Sequence, residues 1–338
     1  MRLMHSFYHV IERIWWSKAT PPLLLRLFEP VYKSISKWEQ NKRLKNKVHP
    51  PLPLISIGNI TVGGSGKTPF VLWLVDELQK QGWKPVILCR GDGGKSPSPV
   101  LLHANSLSQD VGDEALLLFQ ANLCPVIAGK DRVAASHMAK DLGNIMVLDD
   151  GFQYRQLERN LDIVLIPAEG IGNGYMLPAG PLRESKDGLK RADMIVRTGS
   201  FASVNITQQK EWHWMPVPLP LRNWASSTSS NHTPPTQMIA VTAIARPERF
   251  IQSLKESGIE VVHSYTFPDH YTFSKKDIQM FLKLKQPIVI TAKDAVKIRE
   301  LWPSHQPLWV LEQDFKAEDG LIETILNALP VGKPDQQC

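Results

Sequence analysis

The sequence predicts an α/β fold with a parallel sheet flanked by helices, a second, smaller α/β domain after it, and an amphipathic helical arm before it. Three observations carry this. Short apolar runs alternate with amphipathic stretches over most of the chain. One apolar run feeds a glycine-rich turn that opens directly into a helical pattern. The alternation restarts at Met238 after the polar, Ser/Thr/Pro-rich stretch 222–237. Strands alternating with helices read as parallel pairs covered on both faces. The expected division is 1–50 for the arm, 51–221 for the core domain, 222–237 for a linker and 238–330 for the smaller domain.

The glycine-rich turn lies in SIGNITVGGSGKTPF, Ser56 to Phe70. Pro53 to Ile57 reads as a strand, and Phe70, Leu74, Val75 and Leu78 as the apolar face of the following helix. Strand, glycine turn, Lys-Thr and helix together make a phosphate-binding loop, so the core is P-loop NTPase-like. The run Thr61, Val62, Gly63, Gly64, Ser65, Gly66, Lys67, Thr68 would wrap the phosphates. Glycines let backbone N–H groups point inward, and the helix N-terminus adds partial positive charge. Lys67 would reach the terminal phosphates and the Thr68 hydroxyl would ligate magnesium. Thr61 stands where the general pattern GxxxxGK[ST] has its first glycine, and the Gly63-Gly64 pair compensates.

Bulk properties narrow the class. With 338 residues, 43% hydrophobic and 21% charged, the chain has ordinary globular composition and room for two domains. Cys89, Cys124 and Cys338 have no pairing or metal-ligand spacing, so neither a disulfide nor a structural metal is expected, and a reducing compartment suits the chain. No run reaches the length of about 18 apolar residues that spans a bilayer, and Met1 to Trp16 lacks the apolar core of a signal peptide. The formal charge is +6, but residues 1–50 hold ten Lys/Arg against three Glu, a net +7, and the remainder is net −1. That distribution argues against a nucleic-acid surface and for one basic face aimed at an anionic partner.

Within the arm, Phe7, Val10, Ile11, Ile14 and Trp15 fall on one helical face, which Pro21-Pro22 ends. Leu24, Leu27, Phe28, Val31, Ile35 and Trp38 form a second stripe, with Pro30 placed to kink it. Arg2, Arg13, Lys18, Arg26, Lys33 and Lys37 lie among them, and a basic cluster spans Lys42 to Lys47. Tryptophan and leucine beside lysine and arginine suit an interfacial helix on an anionic leaflet. An amphipathic helix packed on its own domain has the same pattern.

Further along, Lys84 to Cys89 reads as a strand ending in Arg90-Gly91-Asp92-Gly93-Gly94, and Gly112-Asp113-Glu114 starts a helix. Pro125 to Ala128 is a strand and Arg132 to Leu142 a helix. The strand Ile145 to Leu148 ends in Asp149-Asp150, and a carboxylate there, downstream of a phosphate loop, is placed to serve magnesium. A plain strand-ending turn looks alike. Leu161 to Ile166 and Ala192 to Arg197 complete the core strands. Between them the rigid loop Leu177 to Glu184 presents Arg183, which could grip a phosphate bidentately, and Glu184. In the second domain, Pro268-Asp269-His270-Tyr271 and Thr291-Ala292-Lys293-Asp294 sit at strand ends, where α/β sites form. A lone histidine is more often structural.

The stretches SIGNITVGGSGKTP, RGDGG, GDEALLL, DDGFQ, GNGYMLPAGPLRE, FPDHY and TAKDAVK, in this order, resemble the tetraacyldisaccharide 4'-kinase family, the lipid A 4'-kinases of Gram-negative bacteria. The similarity runs from about residue 10 to about residue 325. It implies transfer of the ATP γ-phosphate to the 4'-hydroxyl of an acylated glucosamine disaccharide 1-phosphate. The active site would lie between the two domains, and the arm would lie on the cytoplasmic face of the inner membrane. By the same resemblance, Thr61 to Thr68 bind ATP, and Asp149, Asp150 and Glu184 serve magnesium with Thr68. Asp113 takes the acceptor proton, with His270 raising its basicity. Lys67, Arg132 and Arg183 supply positive charge to the phosphoryl group. Asp92 stands where the family's RGYGG has tyrosine, and Tyr154 where histidine is common after DDGFQ; Tyr154 keeps a hydrogen bond to substrate but not a cation. The rival from another class is a nucleotide-switched membrane adaptor without phosphotransfer, which has no use for an Asp113–His270 pair. A GTPase would need a guanine-reading NKxD, which the chain lacks.

Overall fold

The computed structural model describes residues 11–17, 19–199, 206–224, 234–244, 246–268, 271–299 and 301–330. It forms two compact units: residues 1–215 with 317–338, and residues 216–316.

The first unit is built on mainly apolar strands. β1 (Leu54–Gly58), β2 (Pro85–Cys89), β4 (Val126–Ala128), β5 (Ile145–Asp149), β6 (Leu161–Pro167) and β7 (Met194–Thr198) are buried at every residue. Such runs need cover on both faces, which parallel strands with helical crossovers provide. The sheet order is β8 (Glu211–Pro218), β7, β6, β1, β5, β2, β4, β3 (Val100–Leu101). Every pair is parallel except β3 with β4. β8 pairs on its other side with β14 (Gln313–Ala317), and the chain passes between the units within these two strands.

Helix α2 (Lys67–Lys80) covers the sheet with Phe70, Val71, Leu74, Val75 and Leu78, all buried. α3 (Ser108–Val111) and α4 (Asp113–Gln120) follow, then α5 (Arg132–Met138), which is capped by the Asp131 carboxylate accepting from the Val133 and Ala134 N–H groups.

The arm helix α1 (Leu23–Lys45) runs through Pro30 as one element and buries none of its residues. Its orientation is the reverse of an ordinary surface helix. Leu24, Leu27, Phe28, Val31, Ile35 and Trp38 are all more than half exposed. Its polar side faces the first unit. The Glu29 carboxylate accepts from Met176 N–H at 3.0 Å, Tyr32 Oη donates to Arg183 O at 3.2 Å, and Arg43 Nη1 donates to Gln153 O at 2.9 Å. Ahead of it, residues 11–16 are helical, and Trp15 Nε1 donates to Pro178 O at 2.8 Å. Among the described residues, no helix is long and apolar enough to cross a membrane.

The second unit has its own sheet, ordered β11 (Glu260–Thr266), β10 (Gln237–Thr242), β12 (Ile288–Thr291), β13 (Trp309–Leu311), β9 (Arg222–Asn223), parallel apart from the last pair. α6 (Pro247–Glu256), α7 (Lys275–Phe281) and α8 (Ala292–Ile298) connect its strands, and α9 (Leu321–Asn327) returns to the first unit. Asp294 is fully buried and holds the strand ends together. It accepts from Thr242 Oγ1 and Ala243 N at 3.0 Å each and from Thr291 Oγ1 at 2.8 Å. Most of the expected linker, residues 225–233, lies outside the described residues.

Candidate active site

The site starts at the C-terminal ends of β1 and β5, which are immediate neighbours with Ile57 opposite Asp149. The chain leaves β1 through Gly58, where a Cβ would lie 2.5 Å from Phe152 Cβ. Only glycine lets the segment Asp149 to Gln153 pack this close to the phosphate loop. The loop is then fixed from several sides. Asn59 Nδ2 donates to Ser65 Oγ at 3.0 Å across its base, and Thr198 Oγ1 donates to Ser65 O at 2.9 Å. Val62 N–H donates to Pro181 O at 2.8 Å and Arg183 N–H to Ile60 O at 2.7 Å, so the Pro-rich stretch before Arg183 lies along the loop as a splint. Gly66 takes φ +80° as the residue before α2, the left-handed turn that starts the helix at Lys67. Thr61 and Ser65 are buried, whereas Gly63 and Gly64 are exposed. Thr68 lies in the first turn of α2.

Charges converge above this loop. Lys67 Nζ lies 3.4 Å from Asp150, and Arg183 Nη1 grips both Asp150 oxygens at 2.9 Å each. Asp150 itself has φ +51°, a left-handed conformation that turns its side chain out of the strand line. Burial alone would raise its pKa, but Lys67 and Arg183 outweigh burial and hold the carboxyl well below the usual range. Its neighbour behaves oppositely. Asp149 is 4% exposed, and burial pushes it up to about 7 against the pull of Lys67. Its Oδ1 is buried without a hydrogen-bond partner among the described residues.

Glu184 is engaged elsewhere. Arg191 spans both its oxygens at 2.5 and 2.9 Å, and Gln153 Nε2 donates to it at 3.0 Å while also donating to Asn59 O at 2.7 Å. Arg132 is 5% exposed, and among the described residues its guanidinium makes one long hydrogen bond, to Lys130 O at 3.4 Å. Burial, and next the like charge of Arg90, lower its pKa, with Asp150 acting against both. Tyr154 lies beside it, the Arg132 guanidinium being over the ring at 4.9 Å. Asp92 pairs with Arg90 at 2.9 Å. Asp113 begins α4, exposed and without a hydrogen bond to any described residue. Its neighbour Glu114 is close enough to Asp149 to add to the upward shift there. His270 lies outside the described residues.

The structure therefore brings Lys67, Asp149, Asp150 and Arg183 to one place, with Thr68 next to Lys67 in the chain, and commits Glu184 to Arg191. Three participants escape a reading of the sequence. Gln153 and Asn59 stand inside the motif stretches but reveal no role by spacing. Arg191, in the short helical turn 186–191, carries no motif signal at all.

No group of three or more His, Cys, Asp or Glu among the described residues could hold a metal unaided. A P-loop site needs none, because one hydroxyl, one acid and the nucleotide's own oxygens suffice. Thr68 with the orphaned Asp149 oxygen fits a magnesium ion that arrives with a nucleotide.

A glycine loop opening the 14-residue helix α2, a lysine in its first turn and a buried acid on the adjacent strand define a P-loop nucleotide-binding enzyme of the phosphotransferase class. Residues 22–330 match the family model described as tetraacyldisaccharide-1-P 4'-kinase. The chain belongs to that family. It is 36% identical to the tetraacyldisaccharide 4'-kinase of Methylobacillus flagellatus over 96% of this chain and 97% of that protein. The enzyme of the same name from Halorhodospira halophila is 40% identical over 79% of each. The crystal structure of LpxK from Aquifex aeolicus in complex with ATP superposes with a TM-score of 0.70. It is 27% identical and covers 90% of this chain and 98% of that one.

Proposed function

We propose that this protein transfers the γ-phosphate of ATP to the 4'-hydroxyl of a tetraacyldisaccharide 1-phosphate, giving the 1,4'-bisphosphate, on the cytoplasmic face of the bacterial inner membrane. The observation that carries the reading is the meeting, at adjacent strand ends, of Lys67 with one paired and one orphaned carboxylate.

In this reading Thr61 to Thr68 cradle the ATP phosphates with backbone N–H groups, and α2 contributes its dipole. Lys67 leaves Asp150 for the phosphate oxygens, while Arg183 keeps Asp150 compensated. Thr68 and Asp149 would hold magnesium, which would supply positive charge to the phosphates. Asp150 and Glu184 act through the guanidiniums that grip them, orienting the loop from Asp149 to Gln153. Arg132 faces a phosphoryl oxygen. Asp113 takes the proton of the acceptor hydroxyl, and His270 is its partner.

An acceptor bearing fatty acyl chains is delivered from a membrane. The outward apolar side of α1, flanked by basic residues, supports a peripheral membrane role. Replacing Leu27 and Trp38 together by Glu is expected to weaken binding to anionic vesicles at least tenfold while leaving the ATP Kd within about twofold. Unchanged vesicle binding would remove the arm from this role.

General-base catalysis contributes about 10²- to 10⁴-fold, so Asp113→Asn should lower kcat by at least about 10²-fold with ATP still bound. An adaptor that transfers no phosphate would show no dependence on Asp113. A kcat within threefold of wild type would discard Asp113 as the base.

A further inference from the structure

The arm helix reaches the site through one aromatic ring. Arg43, in the last turns of α1, lies over the Tyr154 ring at 5.3 Å from its centroid, and its Nη1 donates to the backbone of the neighbouring Gln153 at 2.9 Å. Arg132 lies over the same ring at 4.9 Å. Arginine over an aromatic face is held by the ring quadrupole and by planar stacking, and both gain when the group is removed from water. Here one member of the trio is almost fully buried. Arg132 has five N–H donors to satisfy, yet among the described residues its guanidinium makes one hydrogen bond, 3.4 Å long, and its Nε is buried without a partner. Leaving a buried charged group so poorly satisfied is costly. The arrangement makes sense for a guanidinium that awaits an anion. Tyr154 can fix it without consuming its donors, because stacking uses the guanidinium face and not its N–H edge.

We propose that Tyr154 and Arg43 are positioning residues: the Tyr154 ring, braced by Arg43 from the arm helix, holds the buried Arg132 guanidinium with its donors free for a phosphoryl oxygen. The proposal rests on the kinase reading for the identity of the anion, but the positioning itself does not depend on transfer. It also gives the Tyr154 departure a physical meaning. A protonated histidine at this position would repel both guanidiniums, whereas the tyrosine ring attracts both. The arm is thereby joined to the phosphate site, since Arg43 belongs to the helix whose other side carries the exposed apolar stripe.

The phosphoryl oxygen can come from the ATP γ-phosphate or from the acceptor's 1-phosphate. Titration of the full-length protein with ATP and with ADP, by calorimetry without acceptor, separates the two. If Arg132 meets the γ-phosphate, Arg43→Ala and Tyr154→Ala weaken ATP about five- to tenfold and leave ADP unchanged. If it meets the acceptor, ATP binding is unchanged and the KM for tetraacyldisaccharide 1-phosphate rises by a similar factor. In either case Tyr154→Phe, which keeps the ring, recovers most of what Tyr154→Ala loses. Arg43→Ala adds nothing further once Arg132 is already Ala. Thermal melting of each variant confirms folding. Effects of Arg43→Ala and Arg132→Ala that multiply in full would overturn the proposal, as would a Tyr154→Phe no better than Tyr154→Ala. So would wild-type values in both Arg43→Ala and Tyr154→Ala. Failure of wild type to label lipid would instead overturn the kinase reading and leave the ATP and ADP titrations interpretable.

Discussion

Asp149 and Asp150 are adjacent in the chain and opposite in electrostatics. Asp150 is held ionised by Arg183 and Lys67, whereas Asp149 is pushed up to about 7 by burial. The difference follows from position. Asp149 is the last residue of β5 and is buried with it, and the left-handed turn at Asp150 carries its carboxylate to the two cations. A pKa raised above the unfolded value of about 3.9 means that the native state binds the proton more tightly than the unfolded chain. This group's contribution therefore becomes unfavourable as pH rises from about 4 to about 7 and stays so above that. Without nucleotide, Asp149→Asn should remove this dependence, so that its Tm exceeds wild type's by more at pH 8 than at pH 5. Equal differences at both pH values would contradict the assignment. Magnesium with ATP should narrow the gap at pH 8 by stabilising wild type more than the variant, because the ionised Asp149 then has a cation to face.

At the scale of elements, the site is two loops held at one strand end by a third. The segment Asp149 to Gln153 passes Gly58 so closely that a single methyl group there has no room. Gly58→Ala should cost about 1–3 kcal/mol through overpacking, read as a lower denaturant midpoint, with ATP binding weakened because both loops shift. A midpoint within experimental scatter of wild type would show that the contact yields. Much of this was legible in the sequence. β1, β2, β4, β5, β6 and β7 are mainly apolar runs, and their positions follow from hydrophobic pattern alone. β8 was not legible, because EWHWMPVP mixes charge, histidine and proline. Its signal was the alternation that buries Trp212 and Trp214. β14, QDFKA, is a polar edge strand with no apolar run to read. The clamp of Arg191 on Glu184 and the reach of Arg43 to Gln153 were equally hidden, since they depend on approaches in space that no local pattern encodes. The arm was readable as amphipathic but not as to which side faces out. The polar contacts of Glu29, Tyr32 and Arg43 decide that.

At the scale of the whole molecule, one chain carries a complete phosphate loop in its first unit and none in its second. The residues proposed for the nucleotide chemistry, from Thr61 to Arg183, all belong to the first unit. The central claim is transfer of phosphate to a lipid sugar, and its most direct test is labelling. Full-length protein, magnesium, γ-labelled ATP and tetraacyldisaccharide 1-phosphate are combined in mixed micelles, with Lys67→Ala run beside wild type. The account predicts label in the lipid product with wild type and a loss of about 10²- to 10³-fold with Lys67→Ala, the scale set by removing one transition-state charge contact. ATP bound by wild type with no label in the lipid would contradict it.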